Sequence, residues 1–152
     1  MITVATLFVT AFIVMYAAHL LSDYPLQTDK LAARKAGWTE LDSRQRTVCH
    51  HRGWGANQVH AGTHTLATLL LLLVVPVWGL ELPVSGAGFI SGLAWIHVSH
   101  GLIDRRWPIA WWMDHTGQES FRKNGGGAAH VDQAAHITLG LLPAALLLAK
   151  LS

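Results

Sequence analysis

Four stretches of the chain are almost purely apolar. Residues 2–21, 53–80, 82–103 and 133–149 contain no Asp, Glu, Lys or Arg. Each approaches the ~20 residues an α-helix needs to cross the hydrocarbon core of a bilayer. Backbone polar groups have no water to bond inside lipid, so such stretches must be helical. The pattern predicts an all-α protein: an integral membrane bundle of four transmembrane helices in one domain, 1–152. The expected spans are about 2–22, 58–80, 84–104 and 132–151. Two long polar loops, 24–57 and 105–131, separate the first span from the second and the third from the fourth. A tight turn around Glu81-Leu82-Pro83 joins the middle pair.

Composition agrees with this pattern. Hydrophobic residues make up 51% of the chain and charged residues 13%, against the ~25% charged residues of an ordinary soluble domain. A soluble domain with four buried helices would need a charged exterior, and too few charges remain to supply one. The first apolar run is expected to be a retained span and not a leader peptide. No basic residue precedes it, and it ends in His19 and Asp23. Cys49 is the single cysteine, so an internal disulfide is excluded.

Charge then orients the spans. Lys30, Arg34, Lys35, Arg44, Arg46 and Arg52 lie in the first long loop, and Arg105, Arg106, Arg122 and Lys123 in the second. The opposite side has Lys150 alone. Basic residues concentrate on the cytoplasmic side of membrane proteins, which places both loops inside and both termini outside. The expected location is multi-pass in the cytoplasmic (inner) membrane. The net charge of +2 reflects this asymmetry and no nucleic-acid motif accompanies it, so no nucleic-acid partner is predicted. Trp107, Trp111 and Trp112 read as an interfacial belt, with Arg105 and Arg106 reaching for head groups. Residues 31–38 read as a short amphipathic surface helix. Asn124-Gly125-Gly126-Gly127 reads as a flexible tether.

The candidate chemistry lies in four i,i+4 pairs: His19/Asp23, His60/His64, His100/Asp104 and Asp132/His136. At ~100° per residue the two members of such a pair share a helix face. His97 falls on the same face as His100 and Asp104. The pairs stand at an end, a start, an end and a start of successive spans, and chain direction alternates. All four therefore meet at one level of the bilayer, on the cytoplasmic side. Ionisable residues in spans are costly and mark function by default. One reading is a set of interhelical hydrogen-bond clamps. The other, preferred because four pairs are in register, is a divalent metal site. Imidazole and carboxylate ligands suit zinc, with manganese or iron as alternatives. Nine residues are then candidate ligands: His19, Asp23, His60, His64, His97, His100, Asp104, Asp132 and His136. Eight of them form the four pairs, more than one tetrahedral ion uses, so two ions or one ion with supporting residues is expected. Gln27 and Gln133 flank the pairs and would orient ligands. Cys49-His50-His51 reads as a solvated loop, and His115 and His130 are ambiguous. Glycine-rich phosphate loops, Gly-x-Ser-x-Gly elbows and Cys-x-x-Cys motifs are absent.

These residues also resemble a family. His19-Leu-Leu-Ser-Asp23-Tyr24-Pro-Leu26-Gln27 followed by Lys30, then His97-Val-Ser-His100-Gly-Leu-Ile-Asp104, then Asp132-Gln133-Ala-Ala-His136 look like the motifs of small bacterial and phage membrane proteins of unknown function. That family shows His-x-x-x-Asp-Phe-x-Leu-Gln, His-x-x-x-Asp and Asp-Gln-x-x-His in this order. Tyr24 stands where the family has Phe, and the glycine- and tryptophan-bearing segment before the fourth span is less family-like. His60/His64 and Ser99-His100/Asp104 are more weakly similar to membrane-bound metal-dependent hydrolases induced by DNA damage. The pairs also resemble, as a pattern alone, those of all-helical zinc phospholipases C and nucleases.

The expected function is a metal-dependent hydrolase at the cytoplasmic membrane face, acting on a phosphoester such as an anionic lipid head group. The metal would lower the pKa of a bound water towards ~7 and polarise the ester oxygen. Asp23, Asp104 or Asp132 would serve as general base. The bilayer is the expected partner, and oligomeric state is open. The alternatives are a metal-ion carrier, which should place polar residues through the midplane, and a non-catalytic scaffold held by His/Asp clamps.

Overall fold

The structure, a computed structural model, describes residues 3–36, 52–79 and 82–152. Cys49, His50, His51 and Glu81 lie outside the described residues. All regular structure among the described residues is helical.

Helix α1 (Val4–Asp23) opens at Thr3, whose hydroxyl accepts from the Thr6 N–H at 3.1 Å. Thr28 starts α2 (Asp29–Lys35) in the same way through the Leu31 N–H. Both caps satisfy an amide that the first helical turn leaves unpaired. Helix α3 (Trp54–Val74) begins at Gly53, whose φ of 89° lies in the left-handed region. A Cβ there would overlap the carbonyl oxygen of Arg34, so glycine lets the α2 segment dock on the start of α3. A 3-10 turn, Val75–Trp78, ends that rod. Helix α4 (Gly86–Ile103) starts at Ser85, which caps the Gly88 N–H at 3.0 Å and donates to the Leu151 carbonyl. Helices α5 (Trp107–His115) and α6 (Glu119–Asn124) fill the second long connection. Helix α7 (Gly127–Ala135), a π-helical segment (His136–Leu141) and α8 (Leu142–Lys150) form one continuous rod.

The π segment has a local cause. Pro143 has no N–H to give to the Leu139 carbonyl four residues back. The Trp95 indole Nε1 donates to that carbonyl instead, at 2.9 Å. Wider turns of this kind recur at functional sites, and this one begins at His136.

Helices α1, α3, α4 and the α7–α8 rod pack as a bundle. Its lower half is an apolar core that includes Leu7, Ala11, Met15, Leu72, Ile96 and Leu148. Helices α4 and α8 approach closely because Gly88 and Gly92 lie opposite the Leu148 and Ala144 carbonyls. Small residues spaced by four allow such backbone proximity in membrane helices.

Two helical rods, Val4–Asp23 and Gly127–Lys150, are long and apolar enough to cross a membrane. The expectation of four such spans is not supported on length and composition. Helix α3 has 21 residues and α4 has 18, but Asn57, Gln58, His60 and His64 dilute the first, and His97, Ser99 and His100 the second.

Three expectations about the loops change. Of the 31–38 stretch, residues 31–36 are described, and there α2 packs on α3 and buries Lys35 while Ala33 and Arg34 stay exposed. Arg105 does not reach for head groups. It is buried, donates to the Lys35 and Arg52 carbonyls and lies 4.4 Å from the Trp54 ring centroid. The glycine run is a tight corner instead of a tether. Gly126 has a φ of 68°, and a Cβ on Gly127 would enter the Phe121 ring. Trp107, Trp111 and Trp112 are exposed on α5, as an interfacial belt requires.

Candidate metal centre

Above the apolar core the four rods turn polar at one level. His19 and Asp23 close α1, and His60 and His64 face inward from the first half of α3. His100 lies near the end of α4, with Asp104 as its C-cap residue, and His136 opens the π segment. All seven side chains are buried. Isolated charges are not left in such places, so they must be paired or bind a cation.

The atoms converge in two groups. In the first, Asp23 Oδ1 is 3.0 Å from His60 Nε2 and 3.2 Å from His64 Nε2, and the two ring nitrogens are 3.2 Å apart. Ligands held at ~2.0–2.1 Å around a tetrahedral zinc stand about 3.3 Å from one another. The three edges thus match the edges of a metal polyhedron. His100 lies close enough to complete a set of four, with all ligand atoms within 4.8 Å of one another. The second group is His100, Asp104 and His136, again within 4.8 Å. His100 Nε2 stands 3.1 Å from Asp104 Oδ2, and His136 Nε2 stands 3.8 Å from Asp104 Oδ1. His100 Nε2, Asp104 Oδ2 and His136 Nε2 are all buried and form no hydrogen bond, and Asp104 Oδ2 has only ion-pair contacts, with His100 Nε2 and, at 3.3 Å, His60 Nε2. Buried polar atoms without partners are rare, and three converging on one point suit a metal ion. Both groups fit a divalent cation through this geometry.

The supporting residues are equally specific. Gln133 donates from Nε2 to Asp23 Oδ2 at 3.1 Å, and its Oε1 is 3.0 Å from His19 Nε2. His19 Nε2 also lies 3.3 Å from Asp23 Oδ2, so His19 faces the outer oxygen of Asp23 and stands outside both groups. Gln27 donates to the Asp23 backbone carbonyl at 3.0 Å and braces the end of α1. Asp132 Oδ2 is 3.4 Å from His136 Nδ1. A carboxylate on the far nitrogen of a histidine fixes the ring and leaves the near nitrogen free for metal.

His97 is not brought to the centre. Its Nδ1 meets Thr65 Oγ1 at 3.2 Å and its Nε2 meets Gln58 Oε1 at 3.0 Å, so both ring nitrogens are engaged against α3. His97 shares a face with His100 but lies ~4.5 Å deeper, three residues along the helix. His115 bonds the Trp111 carbonyl and His130 stacks on Phe121, both away from the cluster.

Sequence reasoning missed Lys35. Its Nζ lies 2.8 Å from His60 Nε2, 3.0 Å from Asp104 Oδ1 and 3.9 Å from Asp23 Oδ1. The available signal was the Thr28 cap, which starts a helix that puts Leu31 and Lys35 on one face.

The centre opens toward the loops through a cleft of about 270 Å³, lined by Asp23, Lys35, Asp104, Arg106, Asp132 and Gln133 among others. Arg106 is exposed and, among the described non-glycine residues, is alone in having a positive φ, 60°. Strained backbone is kept where the surroundings over-determine it, often at functional sites.

The chain belongs to the family described as "Protein of unknown function (DUF3307)", whose model matches residues 11–149. The match runs across the glycine- and tryptophan-bearing segment as well as the three motifs. No curated protein and no solved structure matches the chain.

Proposed function

We propose that the chain is a membrane-embedded, metal-dependent hydrolase acting on an anionic phosphoester, such as a lipid head group, at the cytoplasmic face. The observation that carries this reading is the convergence of buried His and Asp atoms at ligand-edge distances, below a cleft open on the loop side. A bound divalent ion, zinc by ligand chemistry with manganese or iron as alternatives, would activate water and polarise the ester. Asp23 and Asp104 would be ligands. Asp132 stands outside both groups, orients His136 and reaches the cleft, which suits it to take a proton from the attacking water. Arg106 at the mouth offers a cation to the substrate.

The four-span, multi-pass reading belongs to this proposal. His60, His64 and His100, which lower the hydropathy of α3 and α4, point inward, whereas Val59, Leu66, Leu70 and Leu73 on α3 and Ile90, Val98 and Leu102 on α4 are exposed. An outward apolar face on every rod suits lipid. Maleimide labelling of Cys49 tests the topology. A membrane-impermeant reagent should label inverted vesicles and not intact spheroplasts, and the opposite result would reverse the orientation.

A clamp without metal is the competing reading, favoured by the Lys35 contacts. It accounts for the His100–Asp104 and His60–Asp104 ion pairs but leaves the buried Nε2 of His136 without a hydrogen bond. A carrier is less well supported, because apolar residues fill the bundle below the cluster. Elemental analysis of purified protein, followed by assay on a phosphoester panel, tests the proposal. Metal-free protein would overturn it. Metal-loaded protein inert on every phosphoester would leave a metal site and remove the hydrolase.

A further inference from the structure

His100 is common to both ligand groups, and an imidazole nitrogen has one lone pair, so it can serve one ion. A four-ligand site on Asp23, His60, His64 and His100 would be closed, as structural zinc sites are. It would also leave outside the site Asp104 Oδ2 and His136 Nε2, which are buried and form no hydrogen bond. Dividing the six residues three and three removes both difficulties. Asp23, His60 and His64 keep their mutual edges of 3.0–3.2 Å. His100, Asp104 and His136 use all three of the buried atoms that form no hydrogen bond. Each set then keeps an open position, the mark of a catalytic metal site.

The two sets do not start equal. Among the described residues no ammonium is placed against His100 Nε2 or His136 Nε2; their ion-pair neighbour is the Asp104 carboxylate, at 3.1 and 3.8 Å, which is a ligand of the same set. In the other set, the Lys35 ammonium donates to His60 Nε2 at 2.8 Å, and an ion needs that same lone pair. Lys35 also pairs with Asp104 Oδ1 at 3.0 Å, the carboxylate oxygen that the second set leaves aside. An ion entering the Asp23 set must therefore move the ammonium off His60, while Asp104 remains available to it. Lys35 is the last residue of a seven-residue helix that packs on α3, so its displacement need not disturb the bundle.

We propose that the centre is dinuclear and loads in order: a first divalent ion at His100, Asp104 and His136, then a second, weaker one at Asp23, His60 and His64 that displaces Lys35. The inference rests on the metal reading of the site above, and it adds the number of ions, their ligands and the residue that separates their affinities.

Calorimetric titration of chelator-stripped, detergent-purified protein with zinc tests it. Two ions per chain are expected, in two resolved steps. Lys35→Met should strengthen the weaker step about tenfold or more and leave the tighter one within a few-fold, the scale on which residues next to metal ligands act. Lys35→Arg should keep the steps apart. Independently of any lysine variant, His64→Ala should remove the weaker step and His100→Ala the tighter one, with helicity monitored by circular dichroism. One ion per chain, or His64→Ala removing the tighter step, overturns the dinuclear ordering while the metal site stands. A Lys35→Met variant with an unchanged weaker step overturns the role of Lys35. Zero binding overturns this inference and the metal reading together.

Discussion

The side-chain amide of Gln133 donates to Asp23 Oδ2 at 3.1 Å and turns its own oxygen toward His19 Nε2 at 3.0 Å. One residue of the last rod thereby sets the carboxylate that closes the first rod. Gln133→Leu removes both bonds at similar volume. Metal affinity should fall about 10–100-fold with helical content unchanged. Unaltered zinc affinity in a titration would show that Asp23 needs no such support.

His97 and His100 are three residues apart, and only His100 faces the centre. His97→Ala should therefore keep the metal content of the wild-type protein, whereas His100→Ala should lower it. Elemental analysis of the two purified variants decides the matter. Equal loss in both would place His97 among the ligands.

If the proposed site holds metal, chelation should destabilise the folded protein, because the metal would bind the native site and not the unfolded chain. Metal at ~100 times its dissociation constant contributes about 2.7 kcal/mol. Thermal unfolding in detergent should shift to lower temperature on stripping and recover on adding zinc. A midpoint indifferent to both treatments contradicts a metal in the bundle.

The corner at Gly126 and Gly127 is held by contact with Phe121. Gly127→Ala should destabilise by about 1–3 kcal/mol, the usual range for overpacking. Adding Phe121→Ala should restore part of the loss, since the clash is with that ring. A double-mutant cycle measures the coupling, and additive losses would refute the contact.

Trp95 replaces the hydrogen bond that Pro143 denies to the Leu139 carbonyl. Trp95→Phe leaves that carbonyl unpaired and should cost about 1–3 kcal/mol. The π segment starting at His136 should loosen with it. Metal affinity is the second readout, and a variant matching wild type in both stability and affinity would remove the role given to the indole.

Much of the site is legible in the sequence. Helical periodicity put each His/Asp pair on one face, and the alternation of chain direction put the pairs at one level. Neither step required knowledge of which rod neighbours which. The apolar character of the rods was equally plain from four runs without charge. What could not be read was azimuth and depth. Positions 97, 100 and 104 lie within a narrow arc, yet three residues of rise carry His97 past the centre and into the reach of Thr65 and Gln58 on α3. The glycine run looked flexible because glycine permits many conformations, and only the Phe121 ring against Gly127 selects one.

The sequence by itself determined that His and Asp side chains gather at the loop end of a helical bundle, because helix period and strict reversal of direction leave them no other level. Tertiary structure alone decided how they divide. Two helix faces that present His and Asp do not say which side chains fall into which group. That choice depends on the rotation of each rod, on Gln133 and Asp132 turning Asp23 and His136, and on a lysine from a connecting helix. Lys35 looked like one more loop charge because its place in the centre is set by the docking of α2 on α3 beside Gly53, a long-range contact that no local pattern encodes.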